Sequence, residues 1–543
     1  MDFTRCTIQA EELDDEESKR NWQRRRQQLH DAIALRDKTL GEDYPRIQDF
    51  YKGRHVFITG ATGFIGKVVV EKLLRACPDI GNIYVLLRPR KGQEPAARLK
   101  AMMDVPLFDR LRQENPAAMD KVVPIRGDCL LDGLGIGADD RSTLVERVSV
   151  IIHSAASVRF TDPIKTAVRM NLRSTVDIVE LARQMKNLKV VVHVSTAYCF
   201  TNHTPTQECV YTTDHDWRDV LKYAKLPDAD ALDLLGDKFM GFQPNSYVFT
   251  KALSERVMNE AALDLPIVIV RPSIVTCALD DPIPGWMDNL NGFAMFWAVA
   301  SKGVLRYTYV RTKFLKYDLV PVDVVSNITI LASWAKGTNQ PLPVPSGNVE
   351  VVNVSLGDVK PSSAFMMQTV LRRHIVEGTV GYPGAIRYPR YGMCTNRFMA
   401  FILVFLYHVV FGTVLDTILV AMGRKPMLMP IYRKIAFAFT SLQYFMQHEF
   451  WFNSDNMWRL VSMAHPKDRA NFGINLEGDN QDWMLVSKSQ LLGVAKYALN
   501  ENIGGKEDVE RNCRRLNRLW WAELFCYIGL AALATWLLVV AFT

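Results

Sequence analysis

HVFITGATGFIG, residues 55–66, is the stretch that decides the fold. Its first five residues, His55 to Thr59, form an apolar run typical of a buried strand. Three glycines follow, and the residues from Lys67 to Leu74 then carry apolar side chains at helical spacing. A strand, a glycine-rich turn and a helix are the start of a dinucleotide-binding βαβ unit. We expect the three glycines to serve, in order, the tight turn, the approach of the backbone to a pyrophosphate and the close packing of the helix: Gly60, Gly63 and Gly66.

Length and composition limit the class of protein. The chain has 543 residues, of which 48% are hydrophobic and 10% aromatic, so it can bury the cores of two or more globular domains. The net charge of +7 is modest and combines both signs, which does not favour nucleic-acid binding. The nine cysteines are scattered without metal-ligand spacing, which predicts reduced thiols, no metal site and a cytosol-facing protein. The acidic, polar first 20 residues lead us to expect no signal peptide.

Further apolar runs alternate with helical segments along the first half of the chain. This alternation predicts a parallel sheet covered on both faces, in an α/β fold with a Rossmann-type doubly wound sheet. The predicted strands after His55–Thr59 are 82–87, 121–128, 148–153, 188–194 and 266–270.

Residues at the ends of these strands point to the cofactor. The second strand ends in Arg88, Arg90 and Lys91, and no acidic residue follows until Glu94. Basic residues at this point suit a ribose 2′-phosphate, so the sequence predicts NADPH rather than NADH.

The third and fourth strands end in residues with simpler roles. Asp128 can bond the adenine amino group, or it can serve a turn. The small residues Ala155 and Ala156 would let the nicotinamide ribose lie against the backbone, and we expect His153 to be structural.

Two groups of residues later in the chain suggest catalysis. Ser195 and Thr196 follow the fifth strand, and Tyr247 and Lys251 lie four residues apart, so they share one face of a helix. Taken singly, the pair could be a solvated helix face, and the hydroxyls could bond their own backbone. Their order behind the glycine-rich turn favours a catalytic role. Residues 199–244 interrupt the alternation, as a substrate-side insertion or a surface elaboration.

These residues resemble the motifs of the extended short-chain dehydrogenase/reductases. Residues 59–66 resemble the cofactor motif, and Tyr247 and Lys251 match the catalytic pair. More narrowly, the chain from Ile47 to its C-terminus resembles alcohol-forming fatty acyl-CoA reductases. The segments that carry this resemblance are 153–160, 193–198, 271–275 and, for the C-terminal domain, 451–483. The chain departs from the family where His408 is followed by Val409-Val410 instead of the usual Pro-Ala pair.

The resemblance implies a reaction and a set of site residues. The reaction is the reduction of a long-chain acyl-CoA to a primary alcohol and CoA by two NADPH, through an aldehyde-level intermediate. Tyr247 would donate a proton, Lys251 would favour the phenolate and bond the nicotinamide ribose, and Ser195 or Thr196 would bond the carbonyl oxygen. The spacing does not choose between Ser195 and Thr196. The predicted cofactor-binding residues are Thr59, Gly60, Thr62, Gly63, Phe64, Ile65, Gly66, Arg88, Arg90, Asp128, Ala155, Ala156, Tyr247, Lys251 and Pro272.

Two alternative functions stay open. A related reductase of the same superfamily could act on a sterol or similar lipid, and a membrane scaffold could bind the nucleotide without catalysis.

Three apolar segments in the second half need an explanation. Residues 293–299, behind Gly285–Asn289, could line an acyl channel or form a core helix. Residues 398–422 are borderline in length for a membrane span, and Asp416 argues against a lipid-exposed crossing. We therefore expect an interfacial or re-entrant helix or a substrate-collecting surface there, with a buried helix as the alternative.

The segment Leu524–Phe542 has no charged residue and is long enough to cross a bilayer. Trp520, Trp521 and Tyr527 would anchor it at the interface, and four arginines precede it: Arg511, Arg514, Arg515 and Arg518. The sequence predicts a single-pass tail anchor with the catalytic domain in the cytosol, on the endoplasmic reticulum or the peroxisome.

The predicted organisation has four parts. They are a charged N-terminal arm (1–46), a reductase domain (47–370) with the insertion 199–244, a C-terminal domain (371–510) with the membrane-associated segment 398–422, and the anchor (519–543).

Overall fold

The computed structural model describes residues 16–41, 43–89, 92–226, 236, 238–290, 292–376, 382–474 and 483–542. The chain divides into two compact units. The first comprises residues 1–283, 317–361 and 450–476, and the second comprises 284–316, 362–449 and 477–543. Both units are discontinuous in sequence, and the predicted domain boundaries stay predictions.

The first unit is built on one parallel sheet of seven strands. In chain order the strands are β1 His55–Thr59, β2 Ile83–Leu87, β3 Val122–Arg126, β4 Val148–His153, β5 Val190–Val194, β6 Ile267–Pro272 and β7 Glu350–Val354. Their order across the sheet is β3-β2-β1-β4-β5-β6-β7, and every neighbouring pair is parallel. The first six strands have the order of a doubly wound dinucleotide-binding sheet, so the predicted fold class is confirmed.

Helices cover both faces of this sheet. On one face, Phe57, Ile151 and Val191 belong to a buried cluster with Leu181 and Leu253, which lie on two covering helices. On the other face, the helix Val322–Gly337 packs on the helix Phe64–Ala76 and on strands β5 and β6. Because both faces are covered, the strands are continuous Val- and Ile-rich runs rather than alternating ones.

The remaining elements of the first unit are helices and short strands. The α-helices are Glu16–Thr39, Ile47–Tyr51, Phe64–Ala76, Pro95–Met103, Asp109–Glu114, Ala138–Arg147, Ile164–Ala167, Ser174–Gln184, Trp217–Lys225, Ser246–Ala261, Val322–Gly337, Asp455–Met463 and Pro466–Phe472. A π-helical turn, Val168–Arg173, joins Ile164–Ala167 to Ser174–Gln184. The 3₁₀ turns are Pro106–Phe108, Pro116–Lys121, Asp132–Gly135 and Ala197–Phe200, and the strands Ile274–Thr276 and Leu319–Pro321 pair in parallel.

The second unit is mostly helical. Its α-helices are Phe293–Ser301, Ala364–Val376, Arg397–Val404, Phe411–Ala421, Leu428–Gln447, Trp483–Gly493 and Lys506–Phe542, with π-helical turns at Phe405–Val410 and Val494–Ala498. Its short strands Tyr307–Tyr309 and Gly392–Cys394 pair in parallel. The helix Phe293–Ser301 buries Trp297 and Ala300, as the core-helix alternative for this segment predicts. Two more short strands lie at the sequence boundaries between the units: Lys316–Tyr317 and Ser362–Ser363.

Within the described residues, two helices of the second unit are long and apolar enough to cross a membrane, by length and composition. They are Arg397–Ala421, with a mean hydropathy of 2.3, and Lys506–Leu537, with a mean hydropathy of 1.3. Only 17% of the most apolar window of the first helix is buried, so this segment is not the buried helix that the sequence left open as an alternative.

Candidate active site

The glycine-rich turn follows β1, which pairs with β4 at the switch point of the sheet. Gly60 has a φ of +77°, and a Cβ at this position would lie 2.6 Å from the backbone nitrogen of Ala155. A Cβ on Gly66 would lie 2.8 Å from the Cα of Ala61, so the helix can approach the turn only without a side chain there. The helix Phe64–Ala76 begins at Gly63 without a side-chain cap. These contacts agree with the roles expected for Gly60 and Gly66.

A series of buried, hydrogen-bonded side chains lies next to this turn. The Thr59 hydroxyl lies 2.7 Å from His153 Nδ1 and accepts a hydrogen bond from the backbone N–H of Ala155. His153 Nε2 lies 3.2 Å from the Thr175 hydroxyl, which donates to the carbonyl of Asn171. Burial lowers the pKa of His153 to about 3, and the charge of Lys251 adds to this effect. His153 is therefore a neutral imidazole that links β1, β4 and the following helix.

The ends of β2 and β3 bring two predicted cofactor residues together. The Arg88 guanidinium lies 3.6 Å from a carboxylate oxygen of Asp128, and Arg88 is largely exposed. The other Asp128 oxygen accepts the backbone N–H of Leu130, so this residue does serve a turn. The guanidinium of Arg98 donates to the carbonyl of Arg88 and adds a second positive charge nearby. Arg90 lies outside the described residues.

Tyr247 and Lys251 lie on the helix Ser246–Ala261, which is capped by the Asn245 side chain at the backbone N–H of Val248. The Lys251 ammonium is buried and donates to the carbonyl of Val194 at the end of β5, at 2.6 Å. Burial lowers the pKa of Lys251 to about 8, so the side chain is still a cation at neutral pH.

The Tyr247 phenol differs from the expectation. Burial raises its pKa, and a hydrogen bond with Thr196 offsets this only in part. Lys251 is not among the groups that shift this pKa, and its ammonium bonds the Val194 carbonyl. Tyr247 is thus a protonated phenol at neutral pH, and its ring stacks on Phe160 at 5.8 Å between centroids.

The two hydroxyls after β5 have different surroundings. The Ser195 hydroxyl lies 3.3 Å from the buried Cys199 thiol. The Thr196 hydroxyl accepts the backbone N–H of Tyr198 and reaches the Tyr247 phenol. Thr196 is therefore the hydroxyl that lies beside the predicted proton donor.

Several supporting residues were not predicted. The Asn171 amide bridges two parts of the site, since its oxygen accepts the Ser157 N–H and its nitrogen donates to Thr250 on the catalytic helix. The buried Arg271 pairs with Glu255, one turn after Lys251, at 2.5 Å. Only Arg271 gave a signal, as a charged residue directly after the apolar run Ile267–Val270, since a buried charge is tolerated only when it is paired.

The end of β6 completes the set of strand ends. Pro272 is the last residue of β6, and the next residue, Ser273, donates its hydroxyl to Asp318 at 3.0 Å. Asp318 is buried and also accepts from the Ser355 hydroxyl and the Leu356 N–H. This carboxylate therefore fixes the loop after Pro272 beside the loop after β7.

The residues fit a nicotinamide dinucleotide. The turn at Gly60 and Gly63 leaves the backbone free of side chains at the helix start, where N–H groups and the helix dipole favour a pyrophosphate. Basic groups lie at the end of β2, and small residues lie at the end of β4. Four predicted site residues lie at or beside the carboxyl ends of β4–β6, the edge where such sheets bind ligands: Tyr247, Lys251, Thr196 and Pro272.

Comparisons with known proteins agree with this geometry. A family model for NAD binding, described as male sterility protein, matches residues 58–329, and a second with the same description matches 407–501. Fatty acyl-CoA reductase 1 of Homo sapiens is 33% identical over 477 residues, covering 87% of this chain and 90% of its own length. Fatty acyl-CoA reductase wat of Drosophila melanogaster is 34% identical, covering 92% of this chain and 95% of its own.

A solved structure shares the fold at low sequence identity. The reductase domain of a nonribosomal peptide synthetase from Mycobacterium tuberculosis superposes with a TM-score of 0.53 at 19% identity, covering 90% of this chain and 99% of that domain.

Proposed function

The chain belongs to the fatty acyl-CoA reductase family, and we propose that it reduces long-chain acyl-CoA to the primary alcohol and CoA with two NADPH. Family membership supports an oxidoreductase with a nicotinamide cofactor and an acyl-CoA substrate. The finer proposal rests on the Tyr247–Thr196–Lys251 arrangement at the carboxyl ends of the strands. This arrangement can protonate an oxygen next to a hydride acceptor, and both reductions need this step.

The cofactor, when bound, supplies the hydride to the carbonyl carbon. Thr196 donates a hydrogen bond to the carbonyl oxygen, where negative charge develops, and Tyr247 gives its proton to that oxygen. The raised pKa of Tyr247 keeps the phenol protonated until the oxygen becomes basic. Lys251, held as a cation on the Val194 carbonyl, would bond the nicotinamide ribose and so orient the cofactor beside Tyr247.

The same residues serve both reductions. The first gives a hemithioacetal, which collapses to an aldehyde as its C–S bond breaks and CoA leaves as the thiol. Once the phenolate has regained a proton from water and NADP+ has been exchanged for NADPH, the second hydride goes to the aldehyde carbon and Tyr247 again donates the proton that gives the alcohol. One acyl-CoA therefore consumes two NADPH and two protons.

The replacement Tyr247→Phe tests the proposal, because it removes the proton donor and keeps the ring on Phe160. We expect alcohol formation to be lost while NADPH binding, followed by fluorescence quenching, persists. The assay uses membrane fractions, NADPH and acyl-CoAs of several lengths, and it measures free CoA and alcohol together. Release of CoA without alcohol by the wild-type protein would indicate an aldehyde product. If the wild-type protein releases no CoA, the proposed reaction is wrong. The remaining functions are then a reductase that acts on another lipid and an inactive nucleotide-binding scaffold.

The preference for NADPH is part of the proposal and rests on Arg88. Its exposed guanidinium, with Arg98 nearby, can pair with a 2′-phosphate, whereas Asp128 alone would repel it. Replacement of Arg88 by Asp should raise the KM for NADPH at least about tenfold and leave the KM for acyl-CoA unchanged. An unchanged KM for NADPH would contradict the assignment.

We further propose that the C-terminal helix is a membrane anchor with the catalytic unit in the cytosol. The support is the uncharged segment Leu524–Phe542 within the helix Lys506–Phe542, the aromatic residues at its start and the arginines before it. The endoplasmic reticulum or the peroxisome would be the membrane, since both face the cytosol where acyl-CoA is available.

A further inference from the structure

The helix Arg397–Ala421 exposes its apolar face and buries its polar residues, which is the reverse of a helix in an aqueous protein. Most of its exposed residues are large and apolar, with Phe398 73% and Phe401 68% exposed. Its buried residues are small or polar: Ala400, His408, Gly412 and Asp416. A helix in water buries its apolar face, so the reversed arrangement indicates that lipid rather than water surrounds the outer face.

The buried stripe packs on a second helix and forms a hairpin, defined as residues 397–447. The imidazole of His408 stacks on Tyr432 at 4.9 Å, and a Cβ added to Gly412 would lie 2.9 Å from the Tyr432 ring. The carboxylate of Asp416 accepts the N–H groups of Met427, Leu428 and Met429 at 2.8–2.9 Å. Asp416 therefore caps the returning helix, Leu428–Gln447, and does not oppose contact of the hairpin with lipid.

The depth of the hairpin follows from the C-terminal helix. Tyr527, near the start of the proposed span, packs its ring on Tyr407 at 5.2 Å. Tyr407 lies near the middle of the first hairpin helix, so about 21 Å of helix remains to Ala421, short of the roughly 30 Å of a hydrocarbon core. Large apolar residues are exposed on both sides of Tyr407: Phe398, Phe401 and Phe405 before it, and Val414 and Ile418 after it. Both observations fit a helix that lies in the plane of the interface.

The charges of the hairpin select the kind of membrane. Its turn and the first part of the returning helix expose four basic residues: Arg424, Lys425, Arg433 and Lys434. The one acidic residue between positions 397 and 447 is the buried Asp416. A basic, apolar surface of this kind is complementary to anionic lipid head groups above acyl chains.

We propose that the hairpin 397–447 is a second membrane-binding element, lying in one leaflet of an anionic phospholipid bilayer. The apolar face around Phe401 and Phe405 enters the acyl region, and the four basic residues bind lipid phosphates. The depth argument rests on the proposed C-terminal anchor. The reversed faces and the basic turn do not depend on it.

The test uses the full-length chain with its C-terminal span disabled by Leu533→Asp and Leu537→Asp. Purified protein is floated with vesicles of phosphatidylcholine alone or with about a third phosphatidylserine. We expect binding to the anionic vesicles, and a loss of at least about thirtyfold when Arg424→Glu and Lys425→Glu are added, since each basic residue contributes about 1 kcal/mol there and the new carboxylates repel the lipid phosphates. Phe401→Glu with Phe405→Glu should abolish binding, whereas Phe314→Glu, an equally exposed Phe outside the hairpin, should not.

Three outcomes would overturn the proposal. Two concern vesicle binding: the span-disabled chain fails to bind anionic vesicles, or it binds them equally well after charge reversal. The third outcome is that a hairpin variant keeps its vesicle binding and changes only the oligomeric state in detergent, from dimer to monomer. The last result would assign the face to a second copy of the chain. Circular dichroism melting of each variant separates lost binding from lost folding. Carbonate extraction of the wild-type chain and of the hairpin variants tests the C-terminal anchor separately.

Discussion

At the scale of single residues, the side-chain partners of Ser195 and Thr196 separate two hydroxyls that look equivalent in sequence. Both follow β5, but the Ser195 hydroxyl lies beside the Cys199 thiol and the Thr196 hydroxyl reaches the Tyr247 phenol. Cys199 belongs to the 3₁₀ turn Ala197–Phe200, and Tyr247 comes from a helix about fifty residues later. The choice between the hydroxyls therefore depends on a tertiary contact that local spacing does not encode.

We expect Thr196→Val to lower kcat by about a hundredfold or more, the usual effect of removing one hydrogen-bond donor to a developing oxyanion. Valine keeps the shape and the β-branch of threonine, so the KM for NADPH should change little. Ser195→Ala is the matched control and should lower kcat by no more than about threefold, because its hydroxyl has a thiol partner. Steady-state kinetics on both variants provides the measurement. The reverse ranking of the two variants would assign the oxyanion to Ser195.

The supporting contacts of the site show a second limit of sequence reasoning. The sequence predicted Tyr247 and Lys251 from their spacing, and the structure brings both to the end of β5. It also predicted that Lys251 lowers the pKa of the phenol, whereas burial raises that pKa. Burial is a property of the folded environment, so a motif can identify the reacting groups without giving their proton affinities.

At the scale of elements, the apolar runs predicted six of the seven strands of the main sheet. The β7 strand, Glu350–Val354, was not predicted; it pairs with β6 after about eighty intervening residues. Asp416 was interpreted from its charge alone, as an obstacle to lipid contact. Its carboxylate caps a helix that begins twelve residues later, and this role depends on the hairpin turn. Periodicity therefore predicted the elements, and their pairing required the fold.

Strands β4 and β5 join two buried histidines as register partners, His153 and His193. Their rings lie 5.3 Å apart, and neither ring nitrogen of His193 has a hydrogen-bond partner among the described residues. Burial lowers the pKa of His193 well below its ordinary value, with smaller effects from Lys251 and His153. Both histidines are thus neutral in the folded state and become protonated on unfolding below about pH 6.5.

This pair predicts acid sensitivity. Below pH 6.5 the unfolded chain binds more protons than the folded chain, so the free energy of unfolding falls by about 1.4 kcal/mol per histidine and pH unit. We expect the midpoint of thermal unfolding to decrease between pH 7.5 and 5.5. The variant His193→Leu should remove close to half of the decrease that the two histidines cause. The surface variant His30→Leu should leave the decrease unchanged. An identical pH dependence for His193→Leu and the wild type would contradict the assignment.

At the scale of the whole molecule, the proposed membrane attachment and the proposed reaction depend on one another. An acyl-CoA has a soluble head and an apolar chain, and the proposed alcohol product partitions into lipid. A catalytic unit in the cytosol would meet the CoA moiety in water, and the proposed C-terminal anchor would tether the chain to the membrane into which the alcohol partitions. The orientation of the helix is therefore the part of the proposal on which access to the substrate depends.

The chain contains its own reporter of that orientation. Asn202-His203-Thr204 fits the acceptor pattern for N-glycosylation, and Asn202 is exposed, whereas the similar sites at Asn327 and Asn353 are buried. If the arginines before Leu524 keep the catalytic unit in the cytosol, Asn202 stays unmodified in microsomes. A matched acceptor site appended after Thr543 should be glycosylated, because the helix would carry it across the membrane. Gel mobility with and without glycosidase provides the measurement, and modification of Asn202 would reverse the proposed topology and put the catalytic unit on the side without cytosolic acyl-CoA.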